Sequence, residues 1–326
     1  MAHTQDHDPR IYGEVRLYAG SSCPELAQEM SEFLDVPLSG RDLARFPNEN
    51  QFCRLHSSAR GQDVYVIQTT SPPVNDNLME LLIMLQTLRL DSVGRLTAVV
   101  PYLCYARSDK KDQPRVPITA RLVADMIGIA GADRYITMDL HAGQIQGFFS
   151  MPGDALTAFH VLSDYFQERA KQMHKPVIVA ADLGFAKKAR NFAAKLRIPI
   201  AFIEKRRTGN DDHAEALTVI GDVRDRDVII VDDEVDTAGS VSHASRILRD
   251  HGARNIYLSF VHPVLSGAAS ERLREAEFQE IVTTNTIPVP SAKMLDNMTI
   301  LSIGPLLAEV ILRSHEGRSV GEMFDE

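Results

Sequence analysis

Short apolar runs rich in β-branched residues alternate along this chain with longer segments whose apolar positions recur every three or four residues. Glu14 to Ala19 alternates like a strand, and Pro24 to Leu34 then carries a helical pattern, with proline at a tolerated first-turn position. Asp63 to Thr69 predicts a buried strand, SPPVNDN a turn, and Leu78 to Leu90 a helix. A strand at Leu96 to Leu103, a helix at Pro117 to Ile129 and a strand at Arg134 to Met138 follow. The order then repeats: strand Val177 to Ala181, helix Ala186 to Leu196, strand Ile198 to Ile203, and the wholly apolar run Val228 to Val231 before a helical pattern through Ser245, Ile247 and Leu248. Strands at Asn255 to Val261 and Glu280 to Thr284 and an amphipathic helix from Gly304 to Ser314 complete the series. Strands alternating with helices predict an α/β fold built on mainly parallel sheets flanked by helices. The same plan used twice predicts two domains, residues 13–152 and 153–300. Residues 1–12 are expected to be disordered, and 301–326 to form a closing helix and tail that packs back on the first domain.

Composition narrows the class. The 326 residues are 44% hydrophobic and 24% charged, ordinary for a globular protein. The net charge of −9 argues against nucleic acid or an anionic membrane as a general partner. No apolar run reaches the length that spans a bilayer, and MAHTQDHDPR contains no apolar signal core, so a cytoplasmic location is expected. The three cysteines, Cys23, Cys53 and Cys104, fit a reducing compartment and read as packing residues.

The polar residues that follow the predicted strands carry the chemistry. Val228 to Val231 stops at Asp232 and Asp233; Asp236, Thr237, Ala238, Gly239 and Ser240 then lead into a helix. A strand, a small-residue loop and a helix start aim N–H groups at one spot, where the helix dipole favours an anion. The paired carboxylates suit a sugar diol, directly or through a divalent cation. A buried strand with an acidic turn and an N-capping Ser240 is the plainer reading of the same residues. Tyr105 to Arg115 holds four cations in eleven residues and reads as a mobile loop able to close over a polyphosphate, or as a solvated charged hairpin. His141, after the strand ending at Met138, is a candidate metal or phosphate ligand, or a structural histidine. Asp182, Leu183, Gly184 and Phe185 follow another strand. Lys205, Arg206 and Arg207 follow the next, placed to neutralise phosphoryl charge unless they form a solvated basic turn.

Taken together these segments resemble the ribose-phosphate pyrophosphokinase (phosphoribosyl pyrophosphate synthetase) family. The matching motifs are NDNLMELL (Asn75 to Leu82), PYxxYARxD (Pro101 to Asp109), RVPITA (Arg115 to Ala120), DLHAxQIQGFF (Asp139 to Phe149), KRR (Lys205 to Arg207), GDV (Gly221 to Val223), VDDxxDT (Val231 to Thr237), HP (His262 to Pro263) and TNTIP (Thr284 to Pro288). The resemblance implies two tandem type I phosphoribosyltransferase-like domains with the nucleotide between them. It implies transfer of the β,γ-diphosphoryl group of ATP to the 1-hydroxyl of ribose 5-phosphate, with AMP leaving. Phe46 would stack on the base, with Asn48 and Asn50 beside it. Arg107, Ser108, Asp109 and His141 would meet the nucleotide, and His141 and Asp182 would hold Mg2+. Residues 182–185 would form a pyrophosphate loop. Asp232 and Asp233 would hold the ribose hydroxyls, Asp236 to Ser240 the 5-phosphate, and Lys205 and Arg207, with His141, would be catalytic. A dimer-built homo-hexamer regulated by phosphate and ADP is implied as well.

The chain departs from the family pattern at its substrate loops. Asn48 and Asn50 replace the Asp and Glu that accept from the adenine amino group, and an amide both donates and accepts. Phe185 stands where glycine is usual, which is expected to restrict the backbone and crowd a phosphate. Thr237-Ala238-Gly239-Ser240 replaces Thr-Gly-Gly-Thr. Ser108, Lys110 and Lys111 replace Gln, Arg and Arg, keeping charge at the lysines but losing bidentate geometry. Two alternatives remain: a non-catalytic, synthetase-associated regulatory subunit, and an ordinary phosphoribosyltransferase.

Overall fold

The computed structural model describes residues 12–181, 184–207 and 215–324, without the side chains of 205–207 and 215–217. The expected disorder of the N-terminus therefore falls largely outside the described residues. The chain divides into two units: one runs through Leu156 and takes the chain back from Ile303, and the other spans Thr157–Ser302.

The first unit contains β1 (Val15–Ala19), α1 (Pro24–Leu34), β2 (Arg41–Arg45), β3 (Gln51–Leu55), β4 (Asp63–Ile67), α2 (Val74–Leu90), β5 (Arg95–Val100), α3 (Thr119–Ile129), β6 (Arg134–Met138) and β7 (Gly153–Leu156). Among the described residues β1, β4, β5, β6 and β7 form a parallel sheet in the order β1-β4-β5-β6-β7. Its central strands are mainly apolar because helices cover them, and Val64, Val66, Leu81, Leu85, Leu96 and Ile127 are fully buried together. Beside the sheet β2 and β3 form an antiparallel hairpin around FPNEN. That turn chemistry between two alternating runs is the sequence signal for a hairpin.

The second unit contains α4 (Phe159–Arg169), β8 (Val177–Ala180), α5 (Ala186–Leu196), β9 (Ile200–Arg207), β10 (Glu215–Ile220), β11 (Val228–Val235), α6 (Gly239–Asp250), β12 (Ile256–Pro263), α7 (Ala269–Glu275), β13 (Glu280–Thr284) and β14 (Met298–Leu301); the chain then returns to the first unit as α8 (Gly304–Glu316). The second sheet runs β10-β9-β8-β11-β12-β13-β14, parallel except for β10. Both sheets bear out the predicted α/β class. Among the described residues no helix is long and apolar enough to cross a membrane.

Three differences from expectation bear on the candidate site. First, α2 begins at Val74, inside the predicted turn, because the Asn77 side chain donates back to the Ser71 carbonyl at 2.7 Å and Asn77 N–H bonds Pro73 O at 3.0 Å. Second, Lys205 to Arg207 are not a turn after a strand. They are the last residues of β9, paired with β10 in the register Lys205↔Leu217 and Arg207↔Glu215. Third, β11 does not stop at Val231. Its pairing with β8 ends there, at Ala180, but pairing with β12 continues through Val235↔Pro263.

Candidate active site

In the second unit the aspartate pair sits where β11 keeps one neighbour and loses the other. Asp232 is half-buried and Asp233 is buried. Each carboxylate Oδ1 accepts from the next backbone N–H, Asp232 from Asp233 N at 2.9 Å and Asp233 from Glu234 N at 3.0 Å. The chain then passes through Asp236 and Thr237 to Ala238, whose φ of 60° places it in the left-handed region. Helix α6 starts at the next residue, and no side chain caps it. Ser240 lies inside the first turn and does not cap the helix, which corrects the N-capping role expected for it in the plainer reading. The first-turn N–H groups lack intrahelical partners by geometry, and the helix dipole adds positive potential there. Thr237, Gly239 and Ser240 are exposed at this spot and Ala238 is buried, so an anion can approach two hydroxyls and the loop amides.

The pyrophosphate-loop candidates divide. Asp182 and Leu183 lie outside the described residues. Gly184 is exposed, and Phe185 has φ −89°, ψ −3°, an ordinary right-handed conformation. Its ring is buried and packs 5.4 Å from Phe159, with Lys188 Nζ 5.5 Å from its centroid. The expected backbone restriction at Phe185 is therefore corrected: the position asks for no left-handed backbone, and packing against α4 takes up the aromatic bulk. The side chains of Lys205 and Arg207 lie outside the described residues, and their backbone is the end of β9.

In the first unit two separate sequence motifs are joined. Asp109 is buried, and its carboxylate accepts from Gln144 Nε2 in the turn that follows His141. This bond ties the basic loop to the DLHA segment, which the sequence reading did not foresee. It makes Asp109 an anchor of the loop. Ser108 is similarly engaged: its hydroxyl accepts from Thr119 N at 3.2 Å, and its carbonyl accepts from Ala120 N at 3.1 Å at the start of α3. Arg107, Lys110 and Lys111 are exposed. Asp139, buried with φ 35°, is held by its N–H on Leu156 O at 2.9 Å and turns the chain so that His141 emerges exposed.

At the β2–β3 hairpin Phe46 and Phe52 form an exposed tilted pair, their centroids 6.0 Å apart. Phe46 N–H bonds Asn50 O at 2.8 Å, and Asn50 N–H bonds Asn48 Oδ1 at 3.2 Å. The Asn48 oxygen thus accepts one bond within the turn, and its amide NH2 adds donors that a carboxylate lacks. Among the described residues no cluster of three or more His, Cys, Asp or Glu is gathered to enclose a metal ion.

Comparison with known proteins places the chain in a family. Residues 15–131 match the model of the N-terminal domain of ribose phosphate pyrophosphokinase, and residues 209–325 match the phosphoribosyl synthetase-associated domain. The chain is 45% identical over 315 residues to a ribose-phosphate pyrophosphokinase of Caldanaerobacter subterraneus, covering 97% of this chain and 99% of the relative. It is 43% identical over 312 residues to the enzyme of that name from Clostridium tetani, covering 95% and 97%. The crystal structure of phosphoribosylpyrophosphate synthetase from Mycobacterium smegmatis superposes with a TM-score of 0.89 at 40% identity, covering 93% of this chain and 99% of that one. With full-length relatives at this identity and both family models matched, the chain belongs to the ribose-phosphate pyrophosphokinase family.

Proposed function

We propose that this chain transfers the β,γ-diphosphoryl group of ATP to the 1-hydroxyl of ribose 5-phosphate, yielding 5-phosphoribosyl 1-pyrophosphate and AMP. The hydroxyl oxygen attacks the β-phosphorus, the bond from that phosphorus to the α,β-bridging oxygen breaks, and the bridging oxygen leaves with AMP. The observation that carries the reading is the end of β11: two carboxylates followed by a small-residue loop and an uncapped helix start. That arrangement offers acceptors to a sugar diol and donors to a phosphate one loop apart. Full-length relatives bearing the pyrophosphokinase name support it over both the regulatory-subunit and the phosphoribosyltransferase readings.

In this reading Asp232 and Asp233 hold the ribose hydroxyls, and Asp236 to Ser240 hold the 5-phosphate. Phe46 stacks on the base, with Asn48 and Asn50 at its edge. Arg107, Ser108, Asp109 and His141 serve the nucleotide side, Arg107 and His141 at its phosphates. Lys205 and Arg207 neutralise charge on the transferring group, the main device where phosphoryl chemistry is governed by positioning and electrostatics. Residues 182–185 meet the diphosphate group of the product. His141, an exposed imidazole, and Asp182, which lies outside the described residues, are the proposed Mg2+ ligands; Mg2+ keeps several waters and binds through few protein ligands plus phosphate oxygens. When bound it supplies charge neutralisation at the phosphates. Assembly into a homo-hexamer and control by phosphate and ADP belong to the same reading.

The test is Lys205→Ala. It is expected to lower kcat by at least about a hundredfold while ribose 5-phosphate binding stays within a few-fold of wild type. Unchanged turnover would remove Lys205 from the catalytic set.

A further inference from the structure

Three consecutive carbonyls lead out of β11 into the candidate phosphate loop, and each is held by a donor from one segment. Val235 O accepts from Leu265 N at 3.0 Å, Asp236 O from Ser266 N at 2.8 Å, and Thr237 O from Arg272 Nη1 at 2.8 Å. The first two donors are backbone groups of the connection between β12 and α7. The third is a side chain, and so a choice made by the sequence. Arg272 is bound to α6 as well, since its own carbonyl accepts from Ser242 Oγ at 3.3 Å. One residue therefore links α7, the loop and the helix whose N-terminus faces the anion.

Anions are bound by N–H groups and repelled by carbonyl oxygens. A carbonyl committed to a donor in the 265–272 segment is one that does not turn toward the anion. The bond at Thr237 is the last of the three and comes immediately before Ala238, whose left-handed backbone costs about 1–2 kcal/mol for a residue with a Cβ and persists only where neighbours hold it. The Arg272 guanidinium also brings a permanent positive charge to the edge of the loop.

We propose that Arg272 is a positioning residue for the 5-phosphate subsite: by holding the Thr237 carbonyl it fixes the loop with its amides toward the phosphate. This rests on the reading of Asp236 to Ser240 as the ribose 5-phosphate site, and it adds a residue that lies outside every motif named in the sequence.

The experiment is calorimetric titration of the full chain with ribose 5-phosphate in magnesium buffer without nucleotide, alongside steady-state kinetics in both substrates. Wild type, Arg272→Met, Arg272→Lys and the neighbouring Arg274→Met are compared. Arg272→Met is expected to weaken ribose 5-phosphate binding and raise its KM by about tenfold, the value of one charge-assisted hydrogen bond. KM for ATP and kcat should stay within about twofold. Arg272→Lys, which keeps a charged donor on a long stem, is expected to recover most of the loss, and Arg274→Met to behave as wild type. A folded Arg272→Met variant that binds ribose 5-phosphate as tightly as wild type would overturn the proposal. If the Met variant does not fold, the Lys variant decides: a selective few-fold rise in the ribose 5-phosphate KM supports positioning, and equal losses in both substrates overturn it. Wild type that fails to bind ribose 5-phosphate at all would overturn the underlying reading of the loop, and this inference with it.

Discussion

At the residue scale the divergent positions have definite physical consequences. Asn48 Oδ1 accepts from Asn50 N–H, and in the proposed base site its NH2 adds a donor where an aspartate would offer acceptors only. Asn48→Asp is expected to raise the preference for ATP over GTP by about tenfold, the discrimination that one hydrogen-bonded edge supplies. Comparing kcat/KM for the two donors in wild type and variant checks it, and an unchanged ratio would remove Asn48 from base selection. Ala238 holds a left-handed backbone that glycine adopts without cost. Ala238→Gly should therefore stabilise the protein by about 0.5–1 kcal/mol net of the added freedom of the unfolded chain, read as a higher urea midpoint. The cysteines are inert for a clear reason: burial pushes the Cys23 and Cys104 thiols up to about 11 and raises that of Cys53. All three therefore stay protonated at pH 8, and a disulfide reagent should modify none of them in native protein but all three after denaturation. Rapid labelling of the native chain would contradict this.

At the element scale the pattern of apolar positions predicted what local periodicity controls. Helices α1 and α5 and strands β6 and β13 have the bounds their patterns implied. It failed where a distant partner decides. The KRR segment is polar and reads as a loop, yet antiparallel pairing with β10 makes it the end of strand β9. The aspartate pair ends an apolar run, yet β12 carries β11 four residues further. The small-residue loop, its aspartates and His141 could be singled out as candidates because their residue types are chemically specific. Arg272 and the Asp109–Gln144 bond were not, because their meaning lies in contacts between segments about 35 residues apart. Helix α8 shows the same dependence. Asp63, fully buried in β4, accepts from Arg95 Nε at 2.7 Å and contacts His315 Nδ1 at 2.8 Å, while Arg95 Nη2 donates to Ser314 O at 3.1 Å. These bonds pin the C-terminal helix into the core of the first unit. Asp63→Ala leaves a buried guanidinium without its partner and is expected to cost about 3–5 kcal/mol. Chemical denaturation measures this, and a loss below about 1 kcal/mol would show that apolar packing alone seats the helix.

At the scale of the whole molecule, one α/β plan is used twice, and the proposed site residues fall mainly on loops after strands in each unit. The net charge of −9 is no guide to the substrates, since local groups can still offer positive potential to an anion: Arg107, Lys110 and Lys111 are exposed on one loop, and the first-turn amides of α6 lie at another. Substitutions at Asn48, Asn50 and Phe185 lie within a chain that otherwise aligns end to end with pyrophosphokinases, and Phe185 is absorbed by packing. The central claim is transfer of an intact diphosphoryl group. The most direct test incubates the purified chain with ribose 5-phosphate, ATP and magnesium and follows all nucleotide products. AMP and 5-phosphoribosyl 1-pyrophosphate appearing in equal amounts, with no ADP, is the predicted result. ADP as the product, or no AMP from folded protein that binds ribose 5-phosphate, would contradict it.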